Sequence, residues 1–303
     1  MIDVPGLPDG LIARPPTLDD IDAVVAVCRE EEQHAGAVPH TSAADLSSEW
    51  QRPSVDLSED VVVIDDGERL VGYADQFRGR AWVAVRPSAN GRGIGTWLLR
   101  WTEANARRRG CPDIGQTIAD TAHDAQAVVR AHGYEPRFES WVFTFPLQSP
   151  LPDLRLPDGV TIRPVRRPAE DRAIHEVVET AFSEWPGRGA GHDFEDWVAE
   201  ELDRDDVVPE LQLVAVEDGR VIGAAVCIVD GDEGWVQQLA VARQHRGRGL
   251  GRALLAAAFR GFAEHGMASA GLSTDSRTGA KTLYEHIGMT VTESYTRWGR
   301  SLT

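Results

Sequence analysis

The sequence predicts an α/β protein that repeats one domain twice. Three observations carry this: the same order of strand and helix patterns runs through both halves, a glycine-rich turn recurs at a fixed offset (249 − 93 = 156), and a proline-rich stretch separates the copies. A chain of 303 residues, 42% of them hydrophobic, is long enough for two packed cores of about 150 residues each.

Each copy opens with a short strand and an amphipathic helix. Ile12-Ala13-Arg14-Pro15 precedes a run with Ile21, Val24, Val25 and Cys28 on one face, and Thr161-Ile162-Arg163-Pro164 precedes Ile174, Val177, Val178, Ala181 and Phe182. A hairpin follows. It comprises Val61 to Ile64, an Asp66-Gly67 turn and Leu70 to Ala74 in the first copy, and Leu211 to Val216, Asp218-Gly219 and Val221 to Val226 in the second. The next strand, Ala81 to Val85 or Trp235 to Val241, runs into Gly91-Arg92-Gly93-Ile94-Gly95 or Gly247-Arg248-Gly249-Leu250-Gly251. Beyond the turns, Ile94, Trp97, Leu98 and Trp101 fall at i, i+3, i+4 and i+7, as do Leu250, Ala253, Leu254 and Ala257, so both turns open helices. A helical segment ending in glycine (Ala125 to Gly133; Ala280 to Gly288) and a last strand (Ser140 to Phe145; Glu293 to Trp298) complete each copy. Domains at 9–148 and 158–303 follow, joined by an extended linker at 149–157 that holds Pro150, Pro152 and Pro157.

Composition narrows the function classes. Lys and Arg number 31 against 48 Asp and Glu, a net charge of −17 shared by both halves, which excludes a sequence-independent nucleic-acid binder. No apolar run reaches the roughly 18 residues of a membrane helix, and Met1-Ile2-Asp3-Val4-Pro5 lacks the basic start and apolar core of a signal peptide, so a soluble, cytoplasmic protein is expected. Cys28, Cys111 and Cys227 are widely separated and read as small buried hydrophobes. No His, Asp or Glu group has metal-ligand spacing, and no metal is expected.

A strand that ends in a glycine-rich turn and opens a helix presents several N–H groups and a positive helix end to one point, which is an anion site. Spacing decides which anion. A Walker A loop needs Gly-Lys-Ser/Thr, and the only lysine is Lys281. The dinucleotide fingerprint fails at its third glycine, where Leu98 and Leu254 stand.

The segment from Val241 through Arg246-Gly247-Arg248-Gly249-Leu250-Gly251 to Leu255 resembles the acyl-CoA-binding segment of the GCN5-related N-acetyltransferases, with its (Gln/Arg)-x-x-Gly-x-(Gly/Ala) pattern. Ala280-Lys-Thr-Leu283-Tyr284-Glu285-His-Ile-Gly288 resembles that family's later Ala-x-x-Leu-Tyr-Glu-x-x-Gly segment. The resemblance covers nearly the whole chain twice. It implies two tandem domains of the family, in a layout similar to the mycothiol synthases, each a mixed, mostly antiparallel central sheet flanked by helices.

What the resemblance implies for the second domain is specific. Leu239, Ala240 and Val241 would line the pantetheine arm of acetyl-CoA, with one N–H polarising the thioester carbonyl. Arg246, Gly247, Arg248, Gly249, Leu250, Gly251 and Arg252 would hold the pyrophosphate, and Tyr284 would protonate the leaving thiolate. Glu233 is the candidate for the base that deprotonates the amine. Its setting, Asp230-Gly-Asp232-Glu233-Gly, suits a solvated hairpin tip equally well. The loop from Glu184 to Gly191, with His192, Asp193 and Glu195, falls where the family contacts its acceptor.

In the first domain the corresponding set is Val83, Ala84 and Val85 on the strand, with Gly91, Arg92, Gly93, Gly95 and Thr96 in the turn. Two departures mark it: Asn90 opens the glycine motif, and Val129 stands where the second copy has Tyr284. A valine has no proton to give, so the first domain is expected to be degenerate. In the second, Arg277 replaces an asparagine common in the family. The implied activity is acetyl transfer from acetyl-CoA to a primary amine of a small, cationic acceptor, although the acid-rich surface suits plain solubility as well as steering. The alternatives are a non-catalytic acyl-CoA sensor, a protein-modifying enzyme whose first domain docks its target, and an acetyltransferase of the mycothiol synthase type.

Overall fold

The computed structural model describes residues 4–185, 191 and 193–303. The first repeat runs β1 (Ile12–Arg14), α1 (Ile21–His34), α2 (Ala43–Trp50), α3 (Leu57–Asp60), β2 (Val61–Asp65), β3 (Leu70–Phe77), β4 (Arg80–Val85), α4 (Ile94–Arg108), β5 (Asp113–Ala119), α5 (His123–Ala131) and β6 (Glu135–Pro146). The second runs β7 (Val160–Pro164), α6 (Asp171–Ser183), α7 (Phe194–Glu201), β8 (Leu213–Glu217), β9 (Arg220–Asp230), β10 (Glu233–Val241), α8 (Leu250–Glu264), β11 (Ser269–Asp275), α9 (Lys281–Ile287) and β12 (Thr290–Ser301). The strand order repeats, and the one departure is the short α3, which has no counterpart before β8. Between them, residues 150–157 carry no regular element.

Local chemistry explains the shared framework. Arg14 makes a two-pronged bond to Asp20 (2.8 and 2.7 Å), and Arg163 makes the same bond to Glu170 (2.8 and 2.6 Å), fixing the step from first strand to first helix in both repeats. The β8–β9 hairpin turns on Asp218 and Gly219, both at positive φ (49° and 76°), the geometry that a tight two-residue turn demands. The expected apolar stripes of α4 and α8 are buried against their sheets, save for Ala257, which is half-buried.

The chain forms two compact units, and their boundary is not that of the repeats. One unit runs up to Glu139 and adds Glu293–Thr303, while the other is Ser140–Thr292. In the first, the strand order is β1-β2-β3-β4-β5-β12, with β12 antiparallel to β5 from Tyr295↔Ala119 to Ser301↔Asp113. In the second it is β7-β8-β9-β10-β11-β6, with β6 antiparallel to β11 from Ser140↔Asp275 to Pro146↔Ser269. The division expected at 9–148 and 158–303 is therefore corrected at the last strand of each repeat. The two last strands share a pattern and face equivalent parallel strands, so periodicity cannot say which edge each one joins.

The second unit's core has two layers. On one face of the sheet Leu250, Leu254, Phe259 and Phe262 of α8 pack with Cys227, Val236 and Leu272. On the other, Ile174, Val178 and Ala181 of α6 and Trp197 of α7 cover Val214, Ala224, Val226 and Ala240. Cys28 and Cys227 are buried as expected, but Cys111 is only half-buried, at the exposed turn after α4.

Candidate functional site

In the second unit β10 and β11 run parallel only from Glu233↔Ser269 to Trp235↔Gly271, although β10 continues to Val241 and β11 to Asp275. A β-bulge lies just beyond the last pair: Val236 faces Cys227 and Gln238 faces Val226, so Gln237 is the extra residue. Bulges bend and twist a strand. The two parallel strands part here, and one edge of Leu239, Ala240 and Val241 is left without a partner strand.

The glycine turn stands at the open end of that cleft. Gly247 (φ 75°) and Gly249 (φ 83°) adopt the left-handed conformation, and a Cβ built on either meets no heavy atom within 4 Å. Gly249 caps α8, whose first internally bonded N–H is that of Ala253, 3.0 Å from the Gly249 carbonyl. The N–H groups of Leu250, Gly251 and Arg252 thus point outward from a positive helix end. Free space, outward donors and an unpaired strand edge fit an extended ligand with an anionic head.

The arginines contribute less free charge than their number suggests. Arg246 bonds the Val241 carbonyl at 3.0 Å and Glu184 at 2.6 Å. Arg248 pairs with Glu217 through two bonds, 3.0 and 2.6 Å, and holds that carboxyl below its usual range. Arg252 is exposed at the helix end.

Tyr284 lies on α9, packed against Phe143 with ring centroids 5.5 Å apart. Burial pushes its hydroxyl up to about 12, and a hydrogen bond with Thr274 draws it down. Thr274 sits on the stretch of β11 that has left β10. Leu283, next to Tyr284, reaches within 3.7 Å of a Cβ built on Gly251, so α9 and the glycine turn adjoin. A neutral phenol beside the cleft can donate a proton to a thiolate.

Glu233 stands at the closed end of the cleft, six residues before Leu239. Its carboxylate shares the space above Gly271 with the Trp235 ring, on the α6–α7 face of the sheet, and takes a 3.5 Å contact from the Ser269 hydroxyl. Tyr284 packs on the α8 face. Residues 186–190 and His192, the centre of the expected acceptor loop, lie outside the described residues.

The first unit has the same frame with different contents. β4 and β5 pair only at Arg80↔Gly115, and Gly93 (φ 86°) caps α4. Val83 and Val85 turn toward α4, Ala84 toward the opposite face, and Gly91, Arg92, Gly95 and Thr96 form the turn and first helical residues. A Cβ on Gly93 would come within 3.7 Å of the Pro8 ring, and Val129 is buried where Tyr284 stands in the other unit.

Sequence reasoning missed β5 and β11, and with them Thr274. It also missed the network around Gln238, which no motif marks. Among the described residues, no helix is long and apolar enough to cross a membrane, and no group of three His, Cys, Asp or Glu side chains is placed for a metal ion.

The model of the acetyltransferase (GNAT) family matches residues 172–289, and that of the acetyltransferase (GNAT) domain matches 58–136. Mycothiol acetyltransferase of Thermomonospora curvata is 30% identical over 287 residues, 89% of this chain and 90% of that protein. That of Thermobispora bispora is 28% identical over 303 residues, 93% and 94% of the two chains. Among solved structures, a GCN5-related N-acetyltransferase from Sphaerobacter thermophilus matches with a TM-score of 0.77 and 30% identity, covering 98% of this chain and 97% of that one. A tandem GNAT protein from the clavulanic acid biosynthesis pathway shares the fold, with a TM-score of 0.69 and 15% identity over 97% and 99% of the chains.

Proposed function

The chain belongs to the acetyltransferase (GNAT) family and takes its acetyl group from acetyl-CoA, and from that premise we propose that its second unit acetylates a primary amine on a small, cationic acceptor. The observation that carries this reading is the coincidence, in one unit, of the unpaired β10 edge, the open glycine turn and the Tyr284 hydroxyl. Leu239 to Val241 receive the pantetheine arm by main-chain bonds, as a neighbouring strand would be received. Residues 247–252 hold the pyrophosphate through their N–H groups and the helix end.

The amine nitrogen attacks the thioester carbonyl carbon, a C–N bond forms, and the C–S bond breaks. A strand N–H stabilises the oxyanion, and Tyr284 gives its proton to the departing sulfur. Glu233 accepts the amine's proton only over a relay of several waters, because six residues of strand, roughly 20 Å, separate it from Leu239 and one bridging water spans about 5 to 6 Å. The net charge of −17 favours encounter with a cationic acceptor.

A second reading is favoured by the relatives: the acceptor is the amine that mycothiol acetyltransferase acetylates. Release of CoA from acetyl-CoA, followed with a panel of small primary amines and with that substrate, tests both. Turnover with one amine is expected. Tight acetyl-CoA binding with no release from any amine would sink the catalytic reading and leave an acyl-CoA sensor.

A further inference from the structure

The bulge that parts β10 from β11 is held by side chains from α7. Trp197 and Glu201, four residues apart, lie on one face of that helix and turn toward the sheet. The Trp197 indole N–H donates to Gln238 Oε1 at 2.9 Å, and Gln238 Nε2 donates to Glu201 Oε1 at 2.7 Å. Trp197 and Glu201 are both deeply buried. The amide of Gln238 is thus gripped at both ends, one residue after the extra residue of the bulge.

We propose that Gln238 is a positioning residue, clamped by Trp197 and Glu201 so that the bulge stays in register and Leu239 to Val241 present the correct main-chain edge to the acyl-CoA. The reason is parity. Before the bulge Gly234 and Val236 face α8; after it Leu239 and Val241 do, while Gln238 and Ala240 face α6 and α7. Slippage by one residue would turn Leu239 and Val241 out of the α8 core and exchange the N–H groups that bond β9 for those that face the cleft. Nothing in the β9–β10 ladder alone forbids that slip, because Ala224, Ala225 and Val226 are small and apolar on both faces. A half-buried amide with one donor partner and one acceptor partner does, since a slip by one residue would turn it toward the α8 core and away from both partners. The first unit has Trp82 at this place, ring against Tyr73 at 5.6 Å, and no such grip.

The inference rests on the acyl-CoA reading of the cleft, and the test separates the two. Acetyl-CoA uses both the strand edge and the glycine turn, whereas 3′-phospho-ADP uses the turn alone, so calorimetry with both ligands on the full chain isolates the strand. Gln238→Glu sets two carboxylates against each other; it should weaken acetyl-CoA about 10-fold and leave 3′-phospho-ADP within about two-fold. The exchange Glu201→Gln/Gln238→Glu rebuilds the same donors and acceptors in reverse, and should restore acetyl-CoA affinity to within about three-fold of the natural chain. If Gln238→Glu does not fold, Gln238→Leu, close in volume, should show the same split between ligands. Equal loss of both ligands, no loss of either, or a double variant no better than the single one would overturn the proposal. Failure of the natural chain to bind either ligand would instead remove the acyl-CoA reading itself, and the proposal with it.

Discussion

The two units are built on one plan and differ most where the plan opens. Register fixes the equivalences: where the second unit has Tyr284, Thr274, Gln238, Ala224 and Val226, the first has Val129, Ile118, Trp82, Tyr73 and Asp75. The second keeps small residues and one gripped amide beneath its first helices. The first fills the same space with rings and ionisable groups. Tyr73 donates to Asp75 at 2.7 Å, the Trp50 indole donates to Tyr73 at 3.4 Å, and burial pushes the Asp75 carboxyl well up. On the opposite face, Pro8 approaches the Gly93 turn. A duplicated scaffold can therefore keep its strand order while the side chains beneath the first helices of one copy change character.

The comparison breaks most visibly at the glycine turns. Gly249→Val forces a β-branched side chain into the left-handed region and into the space before the helix end; acetyl-CoA affinity should fall at least 100-fold, roughly, by calorimetry. The same titration of the natural chain should give one site per chain, and two would restore the first unit to a binding role. Tyr284→Phe should lower kcat by about 10- to 1,000-fold with little change in acetyl-CoA affinity. Unchanged turnover at saturating amine would take Tyr284 out of the mechanism and erase its contrast with Val129.

The packing of the first unit has a pH signature. Glu31 lies on α1, where burial, with Glu32 beside it, pushes its carboxyl up to about 7. Its folded value lies above its unfolded value, so the native state holds the extra proton. The stability is intact below about pH 4.5 and is lost as pH rises through about 7. Glu31→Gln should raise the melting temperature by several degrees at about pH 8 and barely change it near pH 4. A gain equal at both pH values would show that charge is not the cause. The smallest effect is expected of Arg248→Gln: that guanidinium is spent on half-buried Glu217, so acetyl-CoA affinity should change by less than about three-fold. A large loss would mean that Arg248 leaves Glu217 for the ligand.

Much of this was legible in the sequence because it depends on local pattern. Alternating glycines before an i, i+3, i+4 stripe announce a strand, a left-handed cap and a helix, and both turns are built that way. Val129 against Tyr284 is visible by counting back from a glycine. Thr274 was hidden because β11 is short and polar at its end, with neither alternation nor a turn signal. Gln238 was hidden because its meaning lies in a bulge and in two side chains some 40 residues earlier, and the carboxylate partners of Arg246 and Arg248 were hidden because Glu184 and Glu217 reach them only through the fold. The last strands were recognised as strands, but their partners depend on edges that no repeat distinguishes.

That exchange of last strands sets the order in which the molecule can be made. During translation the first unit must wait, its sheet one strand short, until β12 leaves the ribosome more than 150 residues after β5. Cleavage in the proline-rich stretch would not yield two self-sufficient halves either, because each fragment would carry off a strand belonging to the other's sheet.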